Sequence, residues 1–69
     1  MTNNINTSAI TTFKAKVLAS AAETKAAWEK GENKFINCHA DLMMVDVYVR
    51  FYGANEQELR NFIEEAYKI

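Results

Sequence analysis

The sequence predicts an α+β domain in the order helix, strand, strand, helix, with both helices on one face of a two-stranded antiparallel hairpin. Three observations carry that expectation. Residues 43–52 alternate in polarity: Met43, Val45, Val47, Val49 and Phe51 fall on one side, and Met44, Asp46, Tyr48, Arg50 and Tyr52 on the other. Period-two alternation in β-branched and aromatic residues is the pattern of a half-buried strand. Before it lies an Ala-rich stretch with helical spacing, and after it a short segment with a helix-capping signature.

In chain order, residues 1–7 are polar and Asn-rich and read as a flexible tail, leaving 8–69 as one αββα domain. Thr7 or Ser8 would cap a first helix over 8–30. Ile10, Phe13, Val17, Ala21, Thr24 and Trp28 recur on one face of it, and Leu18 widens the stripe. Ala15, Ala19, Ala22 and Ala26 line the opposite side, where alanine favours the helix. Lys14 and Lys25 flank the apolar stripe with their stems along it. Gly31 ends the helix as a residue at home in the left-handed region. At about 33 Å such a helix exceeds what so small a core needs, and an overhang of that kind suits contact with another chain.

Residues 34–40 predict a weaker strand, with Ile36, Cys38 and Ala40 on the core face and Phe35, Asn37 and His39 on the other. Ala40, Asp41 and Leu42 would form the turn, although they lack an Asn-Gly or Asp-Gly pair. Gly53 closes the long strand. Asn55 then caps a helix in which Glu58 stands at the position that reaches back to the cap. Leu59, Phe62, Ile63, Ala66 and Ile69 form its inner stripe, and Glu56, Glu58 and Lys68 agree with its dipole.

Composition narrows the function classes. The chain has 69 residues, a net charge of −1, 49% hydrophobic residues and a single cysteine. A core of this size is marginal, and one thiol forms no internal disulfide, so association is the stabilising device left open. A two-stranded sheet with open edges predicts pairing with a second copy into four strands. A polar N-terminus, no long apolar run and a lone thiol predict a cytoplasmic protein without a membrane span.

No catalytic or cofactor pattern emerges. Cys38 and His39 would point to opposite strand faces and could not act as a nucleophile–base pair. Paired ligands for zinc are missing. The acidic pairs of the last helix are too close in sequence to face each other. The lysines of the first helix do not share one face, and Glu23 and Glu29 interrupt them. The expectation is a non-enzymatic protein, with no metal and no cofactor, that binds another protein. Its contact surface would be the outer strand face with Met44, Tyr48, Arg50 and Tyr52, residue types frequent at interfaces. Phe35 and His39 of the neighbouring strand join it, helped by Lys14 and Lys25. The alternatives are a small dimeric nucleic-acid-binding regulator and a self-assembling structural subunit.

With its Ala-rich helix 7–30, the strand 43–52, the capped helix 55–69 and no catalytic motif, the chain resembles the small inhibitor proteins of phages and other mobile elements, anti-CRISPR proteins among them. That resemblance lies in size and character over the whole chain, since those inhibitors share no common motif. It implies a viral protein at work in the host cytoplasm, blocking a larger protein or nucleoprotein complex by occupying its surface. It assigns no individual residue.

Overall fold

The computed structural model describes residues 4–34 and 36–68. They form three helices: α1 (Asn4–Glu29), α2 (Ile36–Tyr52) and α3 (Glu56–Ala66). Among the described residues there is no strand, so the fold is all-α and the expected αββα hairpin is overturned. The body is elongated, 46 × 16 × 15 Å. At 1.5 Å per residue α1 is about 39 Å long and α2 about 26 Å, so α1 overruns its partner. Each helix contacts both others.

Helix α1 starts at Asn4, so residues 4–7 of the expected tail are helical and Thr7 and Ser8 sit inside the helix, not at its cap. Its inner face follows the expected stripe: Phe13, Val17, Ala21 and Thr24 are buried, and Ala27 extends it. Trp28 and Leu18 do not follow, each being about half exposed. The Ala15, Ala19, Ala22 and Ala26 side is open to solvent. The helix ends in a Schellman motif. Gly31, at φ 84°, donates its N–H to the Trp28 carbonyl at 3.0 Å, and Glu32 donates to Ala27 at 2.9 Å.

The element expected as two strands and a turn is one continuous helix of 17 residues. Its inner side carries Val45, at 1% exposure, with Cys38, Leu42 and Val49 partly buried against the same core. Met43, Val47 and Phe51, expected on that side with the valines, point to solvent instead. A helix advances by 100° per residue, so every second residue does not stay on one side. Asp41, expected in a turn, lies inside the helix and is fully buried. With no strand edges among the described residues, the expected four-stranded dimer has nothing to pair through.

Gly53, at φ 71°, turns the chain after α2, and Ala54 donates its N–H to the Tyr48 carbonyl at 3.1 Å. Asn55 caps α3 as expected: its side-chain oxygen accepts from the Glu58 N–H at 2.9 Å. The Glu58 carboxylate accepts from Lys14 Nζ at 3.4 Å, which links α3 to α1. Leu59 and Ile63 are buried and Phe62 and Ala66 partly so, as the spacing predicts; Ile69 lies outside the described residues.

Candidate interaction surface

Two polar knots fix how the helices meet. Asp41 of α2 accepts a hydrogen bond from Lys16 Nζ of α1 on one carboxylate oxygen. On the other it accepts from the Tyr67 hydroxyl, just past α3, at 2.7 Å. One buried carboxylate thus ties all three helices. A carboxylate removed from water is tolerated only when paired and hydrogen-bonded, and Lys16 and Tyr67 meet that requirement from the two neighbouring segments. Burial raises the Tyr67 pKa above its ordinary value, and the hydrogen bond to Asp41 and its charge push the same way. A Ser20 hydrogen bond opposes them. The second knot is Thr24, also fully buried: its hydroxyl donates to the Lys34 carbonyl at 3.4 Å and accepts from Asn37 Nδ2 at 3.3 Å.

The residues expected to form one contact face separate. Tyr48 stacks on Phe13 of α1, centroids 4.4 Å apart, and Tyr52 stacks on Tyr48 at 5.1 Å. Both tyrosines are half-buried, Tyr48 in the α1–α2 seam, and α2 offers no outer strand face to carry them together. Arg50 is exposed and pairs with Asp46 one turn earlier at 3.1 Å. His39 is exposed. Lys14 is engaged by Glu58 and lies 5.4 Å over the Phe62 ring, a contact inside the bundle. Lys25 is half-buried on α1, and Phe35 lies outside the described residues. Met44 stands on the surface described next, Tyr48 lines the cleft beside it, and His39 and Arg50 border it.

That surface is the outer side of α2. Ile36 and Phe51 are each 74% exposed, Met43 is 65%, Met44 40% and Val47 36%. With exposed Ala40 they occupy an arc of about 100° along the helix. The five large side chains expose on the order of 600 Å², the upper end for a monomer's largest apolar patch and near the roughly 800 Å² per partner of a stable interface. No charged residue interrupts the stripe; His39, Asp46 and Arg50 run along one edge. On the other edge a shallow cleft of about 250 Å³ opens between Met44 and α1, lined by Thr12, Phe13, Lys16 and Tyr48. An apolar anchor from a partner fits such a place.

The alternation places Ile36, Met43, Val47 and Phe51 in the core, whereas the helix exposes them. The informative signal was length: 17 residues from Ile36 to Tyr52 hold no Gly, Pro or turn pair. A helix with apolar residues on two sides buries one against its own core and leaves the other exposed.

Cys38 is half-buried against the core, and burial, then the charges of Asp41 and Glu64, raise its thiol pKa, which favours the unreactive protonated form. Among the described residues no three His, Cys, Asp or Glu side chains converge as a metal site. No helix among them is long and apolar enough to cross a membrane. Comparison with protein-family models, with curated proteins and with solved structures found no match to this chain.

Proposed function

We propose that this is a non-enzymatic protein-binding module that docks its α2 stripe on an apolar surface of a larger protein or nucleoprotein complex and modulates it by occupation. The observation that carries this reading is the uninterrupted apolar side of α2, turned away from the core of its own bundle. Binding there removes apolar area from water and needs no chemistry from the chain. The cleft beside Met44 gives the contact an anchor point along one edge, and the Asp46–Arg50 pair gives it a polar rim along the other. Occupation of a surface is also how the mobile-element inhibitors it resembles would act. Two of the lysines that a nucleic-acid reading relies on, Lys14 and Lys16, are already engaged by Glu58 and Asp41, which favours the protein partner.

The test is quantitative capture from a host lysate with the wild-type chain, Val47→Glu, Phe51→Glu and a control on the outer side of α3, Asn61→Ala. Protein retained by wild type and Asn61→Ala, and lost from both α2 variants, supports the proposal. Equal capture by all four chains, or none by any, refutes it. Circular dichroism on each variant establishes that the helices persist.

A further inference from the structure

We infer that, without its partner, the α2 stripe is covered by a second copy of this chain, paired antiparallel about a two-fold axis between Met43 and Met44. The inference rests on the stripe being a contact surface, and it names the first occupant.

The order of the stripe carries it. Reversing α2 about the midpoint between Met43 and Met44 exchanges Ile36 with Phe51, Ala40 with Val47 and Met43 with Met44. Each of these positions is exposed. A two-fold interface requires one patch to complement its own reversal, residue i meeting j and j meeting i. Here the largest side chains, at the ends, would meet each other, and the two methionines would meet at the axis. The smallest, Ala40, would meet Val47, which lets the helices approach. Methionine is flexible enough to fill the space left between two such surfaces.

Area and charge agree with a second copy. Two stripes of on the order of 600 Å² offer together at most about 1,200 Å², the size of the smallest stable interfaces. A symmetric pairing must bring each edge against itself, where like charges would repel. Asp46 and Arg50 neutralise each other along that edge, at 3.1 Å, before any second copy arrives. The contact also supplies a chain of 69 residues with a stabilising device that one cysteine cannot provide.

Sedimentation equilibrium from roughly 1 µM to 1 mM covers the affinities expected of such an area. Wild type should pass from monomer to dimer in that range. Val47→Glu should weaken association by about 100-fold or more, since the change enters a symmetric interface twice. A chain that stays monomeric throughout, or a Val47→Glu dimer as tight as wild type with its helicity intact, overturns the inference. Register is read by bismaleimide cross-linking in a Cys38→Ala background. Met43→Cys should link to itself. Ile36→Cys alone and Phe51→Cys alone should not, while an equimolar mixture of the two should. Linking of either end variant to itself, or failure of the mixture, overturns the antiparallel register. Monomeric wild type that still captures a partner through α2 sinks this inference and leaves the binding reading standing. Dimeric wild type whose lysate capture ignores Val47 and Phe51 does the reverse.

Discussion

Helix α3 has one apolar side, and α2 has two. On α3, Leu59 and Ile63 are buried and Phe62 and Ala66 half-buried, while Arg60, Asn61, Glu64 and Glu65 face water. On α2, Val45 is buried, yet Ile36, Met43, Val47 and Phe51 lie on the opposite side in solvent. The inner side of α2 even carries a charge, Asp41, while the middle of its outer side carries none. The apolar content of α3 is used up inside one chain. That of α2 exceeds what its bundle buries, and the excess is ordered as a continuous stripe. Folding accounts for the apolar side of α3 and the inner side of α2, and the binding proposed above is a use for the outer stripe.

The largest expected effect concerns the charge on the inner side. Lys16→Met should keep the helix and its apolar stem but leave Asp41 buried with only the Tyr67 hydroxyl. Breaking a buried pair from one side costs about 3–5 kcal/mol, a large part of a small domain's stability. Asp41→Ala should cost less, about 1–3 kcal/mol, because Lys16 is half exposed and regains water while Tyr67 loses its acceptor. Urea melts of both variants decide the order, and a milder Lys16→Met would show that Asp41 reaches solvent after all.

The two sides of α2 are compared directly by one substitution made twice. Val45→Ala, at a position 1% exposed, should lose about 2 kcal/mol by removing packed methyl groups. Val47→Ala, at 36% exposed, should stay within about 0.5 kcal/mol in chemical denaturation at low protein concentration. Similar losses at both sites would mean that the outer stripe is already packed within the monomer.

The α3 end is read by alkaline titration. Tyr67 has a native pKa raised above its ordinary value near 10. The native state therefore favours the protonated phenol, and its contribution to stability is whole below pH 10 and lost as pH rises above it. The slope from this group reaches at most about 1.4 kcal/mol per pH unit. Cys38, raised from 9.0, acts in the same sense from about a unit lower. Denaturant melts above pH 9 should flatten in Tyr67→Phe at the upper part of the range and in Cys38→Ala at the lower. An unchanged slope in Tyr67→Phe would show that neither burial nor Asp41 holds the phenol protonated in the native state.

The contrast between α2 and α3 also explains what could be read in advance. The inner stripe of α3, its Asn55 cap, the inner positions of α1 from Phe13 to Thr24 and the stop at Gly31 were all legible, because each is a local rule with one outcome. In α2 the apolar residues fall on two sides, so a period of two and a period of 3.6 fit the same letters. Val45, Val47 and Val49 tilted the choice toward a strand through β propensity, a preference that packing overrides. Burial differs for the same reason: the alternation places Met43, Val47 and Phe51 in the core and Tyr48 and Tyr52 outside, while the helix exposes the first three and half-buries the two tyrosines. Asp41 was beyond reach, since its partners lie 25 and 26 residues away in sequence.

The smallest effect separates helix from strand most cleanly. Asp46 and Arg50 are four residues apart and pair at 3.1 Å with both side chains mostly exposed. In a strand, four residues span about 13 Å and the two charges would not meet. On a helix surface such a pair is worth about 0.3–0.5 kcal/mol and weakens with salt. A double-mutant cycle with Asp46→Ala and Arg50→Ala, at low and at high salt, should therefore return a coupling of that size that shrinks as salt is added. The single variants alone mix the pair with alanine's own helix propensity, which the cycle cancels. A coupling of zero at low salt would leave α2 without the one charged contact that marks it as a helix, and would reopen the question of which of its sides faces the core.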